Sequence, residues 1–188
     1  MRFFLVVKSG QDFEQYYGKG DFRMENTKMN RRLLLIRPHL DEIPAGGLPS
    51  GFSLRPLTGT EDADNWLALI RAAERLQRIE SDTFTRAYGT DDRMISERVY
   101  FLLDSDEKPV GTVAAWQGSG ERADWGRIHW LYILPEYQGK GLGRALLTFA
   151  LHRLRELGHT RVYLTTDTGR PDAVHLYHAL GFVEEEGS

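Results

Sequence analysis

The chain has 188 residues, 41% hydrophobic and 27% charged, with a formal net charge of −3, the balance of one ordinary globular domain. The slight acidity argues against a general nucleic-acid binder, which carries a basic face. The absence of cysteine removes disulfide frameworks, thiolate metal sites and cysteine nucleophiles together.

The first residues, MRFFLVV, form an apolar run shorter than the roughly 7–15 residues of a signal-peptide core, and no small-residue cleavage site follows. No segment approaches the roughly 20 apolar residues of a membrane-spanning helix. A cytoplasmic protein with neither membrane nor nucleic-acid partner is therefore expected.

Residues 1–50 read as an N-terminal extension, partly disordered or supplying an added strand. Two apolar runs, Phe3–Val7 and Leu33–Ile36, flank a polar stretch without strand or helix periodicity. Gly18-Lys19-Gly20 lacks the preceding strand and following Ser/Thr of a phosphate loop. Prolines and glycines from Pro38 to Pro49 mark a turn-rich approach. Residues 51–188 then read as one domain. Gly51–Leu57 alternates as a strand. A helix follows, capped by Asp62 or Thr60, with Trp66, Leu69, Ile70, Ala73 and Leu76 as its apolar stripe. Residues 79–93 predict a loop with one short helix. Val99–Leu103 and Val110–Trp116 predict a hairpin around the turn at Asp104–Lys108, and Gly126–Ile133 a further strand. Another strand is expected at Arg161–Thr165. A last helix opens at Pro171 and ends before Gly181, burying Ala173, Leu176, Tyr177 and Leu180.

Between these lies the stretch that organises the rest, LYILPEYQGKGLGRALLTFALHRLREL, from Leu131 to Leu157. It reads as a buried strand, a turn with glycines at 139, 141 and 143, and an amphipathic helix. The first N–H groups of a helix lack internal partners and carry partial positive charge, so the turn suits a phosphate-bearing ligand. The spacing is not that of a dinucleotide fold (G-x-G-x-x-G), and Lys140 is followed by glycine rather than Ser/Thr.

Gln138-Gly139-Lys140-Gly141-Leu142-Gly143 resembles the Q/R-x-x-G-x-G/A signature of the GNAT superfamily of acetyl-CoA-dependent N-acetyltransferases. Leu176-Tyr177 followed by Gly181-Phe182 resembles that family's second landmark. The resemblance covers about residues 51–188. It implies an α/β (α+β) fold, a mixed, mostly antiparallel sheet with flanking helices and one parallel strand–helix–strand crossover. It also implies an enzyme that moves an acetyl group from acetyl-CoA directly to the amine of a small molecule or peptide, without a metal.

By the same resemblance, backbone N–H groups of Gln138, Gly139, Lys140, Gly141, Leu142, Gly143 and Arg144 hold the pyrophosphate. Leu131, Tyr132 and Ile133 pair with the pantetheine arm, and Tyr177 protonates the departing thiolate. His129 stands where some members place a catalytic histidine; others use a glutamate slightly earlier, at the position of Arg127 here. Glu97, Asp124 and the Tyr132 hydroxyl stand as alternatives for the base. Trp66, Tyr88, Trp116 and Trp130 are expected to line the acceptor site, with negative charge from Glu80, Asp82, Asp91 and Asp92. Arg170 replaces a family asparagine. The chain stops soon after Phe182, so Met1–Val7 is a candidate closing strand within one chain or across a homodimer. A non-catalytic acyl-CoA-binding module with the same fold is the alternative.

Overall fold

The computed structural model describes residues 30–185. Seven strands form one sheet: β1 (Arg32–Arg37), β2 (Ser53–Pro56), β3 (Val99–Leu103), β4 (Pro109–Gln117), β5 (Gly126–Ile133), β6 (Val162–Asp167) and β7 (Val183–Glu184), in the order β2-β3-β4-β5-β6-β1-β7. Five helices accompany it: α1 (Ala63–Ala73), α2 (Thr83–Tyr88), α3 (Asp92–Arg98), α4 (Leu142–Glu156) and α5 (Pro171–Ala179). Neighbouring strands run antiparallel except β5 and β6, which are parallel and joined through α4. This is the mixed sheet with one crossover that the sequence predicts.

The strand beside β6 comes from residues 1–50, the segment expected to be an extension or to supply an added strand, though not from its first apolar run. Met1–Val7 lies outside the described residues, and Arg32–Arg37 occupies the place. Its apolar run alternates, with Leu33 and Leu35 buried, and it pairs from Arg32↔Asp167 to Arg37↔Val162. On its other side it takes β7 at Leu35↔Glu184 and Ile36↔Val183. Arg37 is buried at the end of the strand, where its guanidinium donates to the carbonyls of Leu180, His39 and Glu42. It thereby satisfies a carbonyl at the end of α5.

From β1 the chain must reach β2 at the far edge of the sheet. Five interstrand steps of about 4.8 Å amount to about 24 Å, a span that some fifteen residues cover easily. Residues 38–52 cross over α4 on the way. His152 Nε2 lies 3.3 Å from the Pro44 carbonyl, and Gly46 packs on Thr148 so closely that a Cβ there would sit 2.6 Å from Thr148 Cγ2. Leu40 on this strap is 2% exposed, so the crossing is part of the core.

Helix α1 differs from expectation at both ends. Asp62 does not cap it. Its carboxylate instead takes two bonds of 2.9 Å from Arg55 and accepts the Thr58 N–H and hydroxyl at 2.9 and 3.1 Å. At the other end α1 stops at Ala73, so Leu76 leaves the apolar stripe and is 46% exposed. Where one short helix was expected after it, two form. Asp91 opens the second by accepting the Met94 N–H at 3.0 Å.

The Arg55 bonds hold the Asp62 carboxyl at about 2, below its ordinary 3.8. A folded-state pKa below the unfolded value means stability that is complete above 3.8 and is lost as pH falls toward 2. A depression of this size corresponds to about 2 kcal/mol. We therefore expect Asp62→Asn to lower the unfolding free energy at pH 7 by roughly this amount. The variant should also show a shallower loss of stability between pH 4 and pH 2 in denaturant titrations.

Candidate active site

Strands β5 and β6 pair only at Gly126↔Val162 and Arg127↔Tyr163. Beyond that point β6 stays with β1 as far as Asp167, while β5 stays with β4 as far as Ile133. Two features drive them apart. The continuous pairing with β1 holds β6 on its own line. In β5 the register shifts, so that Trp130 and Leu131 together face Val113 of β4. This is a bulge, and Trp130 takes the left-handed conformation within it, at φ 48°. Its indole is anchored by Trp66, with ring centroids 5.1 Å apart. The result is a V-shaped opening whose β5 wall runs through Leu131, Tyr132 and Ile133. An extended polar arm can add there as a further strand.

The open end of the V meets the glycine turn. Pro135–Tyr137 forms one 3-10 turn, and the Gln138 side-chain Nε2 donates to the Ile133 carbonyl at 3.0 Å, folding the chain back on the strand. Gly139 and Gly141 have φ of 76° and 77°, where a Cβ is strained, and nothing stands within 4 Å of where either Cβ would be. Gly141 is the residue before α4 and provides no side-chain cap. The first N–H bonded inside the helix is that of Ala145, to Gly141 O at 3.1 Å. The N–H groups of Leu142, Gly143 and Arg144 thus head the helix in the manner that suits an anion. Gly143 has a different role. A Cβ there would touch Leu176 of α5 at 3.3 Å, so it lets the two helices close up. Lys140 stands over the Tyr137 ring at 4.7 Å, and Tyr137 donates to Asp104 at 2.8 Å. The cradle and the strand edge together fit a ligand with a diphosphate at one end and an extended amide arm.

Tyr177 lies on α5, 7% exposed, with Phe182 at 6.0 Å between ring centroids. The chain matches the family model described as Acetyltransferase (GNAT) family over residues 66–182. The chain belongs to the GNAT family. It is 31% identical over 147 residues to a mycothiol acetyltransferase of Pseudarthrobacter chlorophenolicus, an alignment that covers 75% of this chain and 45% of that protein. The chain thus spans about half the length of the curated relatives it matches. Among solved structures it resembles a GCN5-related N-acetyltransferase from Sphaerobacter thermophilus (TM-score 0.66, 20% identity, 83% of this chain and 48% of that one). It also resembles the ribosomal-protein-S18-alanine N-acetyltransferase of Escherichia coli (TM-score 0.57, 24% identity, 71% and 79%).

Within this GNAT fold, other residues singled out in the sequence take different places. His129 is 5% exposed, its ring 5.9 Å from that of Tyr88 and 5.7 Å from that of Trp130. Burial first, and then the charge of Arg127, push its pKa well below 6.5. It is a neutral, weakly basic imidazole enclosed by rings, an environment that works against a general base. Trp66, Tyr88, Trp116 and Trp130 do not line an open groove. They are all buried and meet edge to face: Trp66 with Tyr88 at 5.4 Å, and Tyr88 with Trp116 at 5.1 Å. The acidic residues of that side are engaged within the fold. Glu80 pairs with Arg78 and Asp82 with Arg86, both at 3.0 Å, and Asp92 accepts the Thr60 N–H at 2.7 Å. Of the alternative bases, Glu97 pairs with Arg93 and Asp124 with Arg161, each at 3.1 Å.

The sequence reading missed Glu74. It follows α1, and its side chain is completely buried. The carboxylate accepts the N–H groups of Arg75 and Leu76 at 2.8 and 2.6 Å, and Gln77 Nε2 at 3.0 Å. Tyr132 of β5 also donates to it, and Arg170 Nη2 reaches both oxygens at 2.8 and 2.7 Å. Burial, the largest influence, raises its pKa, but the Tyr132, Leu76, Arg170 and Gln77 contacts outweigh it and the net shift is downward. Glu74 is therefore an ionised carboxylate whose lone pairs are already occupied. In RAAERLQR the only signal for it is a glutamate inside an apparent helical stripe, and the early end of α1 hides even that.

We expect Gly141→Val to leave the fold intact but to strain the turn, since a left-handed non-glycine residue costs about 1–2 kcal/mol. That strain falls on the anion cradle, so calorimetric affinity for CoA should drop by about tenfold, with the melting temperature lowered by only a few degrees.

Proposed function

We propose that the chain transfers an acetyl group from acetyl-CoA to an amine of a small molecule or peptide, by direct attack and without a covalent enzyme intermediate. The observation that carries this reading is the junction of an opened strand edge with a helix-capping glycine turn, with Tyr177 on the neighbouring helix. In this reading the N–H groups from Gln138 to Arg144 hold the pyrophosphate, and Leu131, Tyr132 and Ile133 align the pantetheine arm. Binding then brings amine and thioester together, a contribution worth about 7–11 kcal/mol in well-oriented systems. A backbone N–H of the bulge polarises the carbonyl as the negative charge develops. The amine nitrogen bonds to the carbonyl carbon, the C–S bond breaks, and the electron pair leaves on sulfur. Tyr177 supplies the proton to that sulfur.

The base is the open half of the reaction. His129 is enclosed, Glu74 is saturated with donors, and Arg127 is a cation at neutral pH. The reading that fits is an acceptor that enters as the free amine or loses its proton to water. The same observation gives weight to a second reading, a CoA-binding module without turnover. The names of the relatives suggest acceptors to try. CoA release from acetyl-CoA can be followed with the amine acceptor of a mycothiol acetyltransferase, a peptide beginning with alanine, and spermidine, the last after a spermidine N-acetyltransferase of Vibrio cholerae that the chain also resembles in structure (TM-score 0.53, 26% identity, 73% of this chain and 82% of that one). Release with any of them supports the enzyme. Tight CoA binding with no release across a broad amine panel supports the module.

Two outcomes follow for the enzyme. Tyr177→Phe should lower kcat by about 10²-fold, the low end for a lost general acid, while CoA affinity changes little. Equal kcat in the two proteins would remove Tyr177 from the mechanism. His129→Gln should leave the pH profile unchanged, with kcat/KM rising along the ionisation of the acceptor amine. A profile that loses a limb near pH 6–7 in the variant would restore the histidine as base.

A further inference from the structure

Beyond Arg127 the cleft wall formed by β5 no longer pairs with β6, and the bulge at Trp130–Leu131 interrupts its register with β4 just before the residues that face the opening. An edge in that state takes up an extended ligand only if its peptide groups are kept in line, since ladder bonds depend on the direction of each N–H and C=O. Tyr132 is the residue through which the fold controls that line. Its ring stands 5.8 Å from that of Trp130 and 5.4 Å from the Arg170 guanidinium, and its hydroxyl donates to the carboxylate of Glu74. Glu74 is itself held in place. Its side chain has 0% exposure, and the N–H groups of Arg75 and Leu76 in its own loop bond to one of its oxygens.

The same carboxylate takes hold of the opposite wall. Strand β6 ends at Asp167, and Arg170, whose N–H turns back to the Asp167 carbonyl at 3.0 Å, sends Nη2 across to both Glu74 oxygens. One buried carboxylate is thus bonded to β5 through Tyr132 and to the end of β6 through Arg170, across the gap where the two strands no longer pair. A buried ion pair adds little net stability compared with apolar packing, because both charges leave water. Its hydrogen bonds do have direction and a fixed length, which apolar contacts lack. We propose that Glu74 is a positioning residue for the donor arm. By tying Tyr132 and Arg170 to one point, it sets the width of the cleft and the alignment of the β5 edge with which the pantetheine amides pair. The proposal rests on the donor placement given above and adds to it the group that keeps the arm's site in shape. The pyrophosphate cradle is built from a different segment, Gln138 to Arg144, so Glu74 acts on the arm and not on the nucleotide.

Calorimetry on the full chain with two ligands separates those ends: CoA, and 3′-phospho-ADP, which keeps the diphosphate and lacks the arm. The wild type should bind CoA more tightly by at least about tenfold, the arm's own contribution. Tyr132→Phe removes one hydroxyl and leaves the buried ion pair in place, so the fold is kept. It should lower CoA affinity by about tenfold, the low end for one hydrogen bond to a charged group, with 3′-phospho-ADP affinity within about twofold of wild type. Glu74→Gln should show the same split. Because both substitutions break the same tie, the double variant should be weaker than Glu74→Gln alone by less than about twofold. Equal losses for the two ligands, or unchanged CoA affinity in both single variants, would overturn the role of Glu74 while the donor site stands. Tighter CoA binding in either variant would overturn it as well, since the bridge would then obstruct the cleft. A wild type that binds both ligands equally would instead remove the arm from the β5 edge, and with it the donor placement on which the proposal rests.

Discussion

Past Arg127, the backbone of β5 must satisfy its hydrogen bonds from one side while the other faces the cleft. Peptide groups in the interior are almost always paired, so a strand edge that opens inside a sheet needs either water or a ligand. The fold brings this about by committing β6 elsewhere. From Val162 to Asp167 it has a partner in β1, and that ladder leaves it no freedom to follow β5. The bulge at Trp130–Leu131 turns β5 the other way, and the Trp66 contact holds the bulge. The cleft is thus a product of pairing preferences on both sides, and its shape is fixed before any ligand arrives.

The same ladder reaches the chemistry by a second route. Just before β1, Arg31 exchanges backbone and side-chain bonds with Thr168: its N–H donates to Oγ1 at 2.8 Å and its carbonyl accepts the Thr168 N–H at 2.9 Å. Thr168 begins the short connection to Arg170. The first described strand of the sheet therefore steadies the loop that carries the cation opposite Glu74. The strap from Pro38 to Phe52 then ties that strand to α4, the helix whose N-terminus forms the anion cradle. The two halves of the cleft, the donor cradle and the α5 wall, are braced through one N-terminal segment.

Local signals were enough to read the glycine turn. The glycines at 139 and 141, the strand before them and the helix after them all depend on short-range conformational rules, and the turn forms as those rules require. Leu33–Ile36 was visible as an apolar run, but its partner was not. Strand order is set by long-range pairing, and nothing in six residues says that they insert between β6 and β7. The aromatic residues show the same limit. Trp66, Tyr88, Trp116 and Trp130 have the composition of a ligand wall, yet edge-to-face packing makes them a core. Glu74 follows Ile70 by four residues, so it falls on the buried side of the helical pattern, but nothing in the local sequence names the donors that meet it there. Those donors, gathered from β5, Arg170 and its own loop, make an ionised carboxylate tolerable in that position.

Charge in the cleft is consequently distributed in an uneven way. On the side of α2 and α3, Glu80 and Asp82 are each paired with an arginine, so their field at a distance is largely cancelled, while Asp92 accepts a backbone N–H. Inside, the Arg170 cation is paired with the buried Glu74 carboxylate, while Arg127 is buried where β5 pairs with β6, over the Tyr163 ring, and its charge helps to keep His129 neutral. Such a site is poorly suited to attracting or stabilising a positive ammonium. It is well suited to the negative charge that appears first on the carbonyl oxygen and then on sulfur. An acyl transfer requires that second property and can obtain the first from solution, where a fraction of the acceptor is always unprotonated. For the acetyl transfer proposed above, this arrangement of charge suits the leaving group better than the nucleophile.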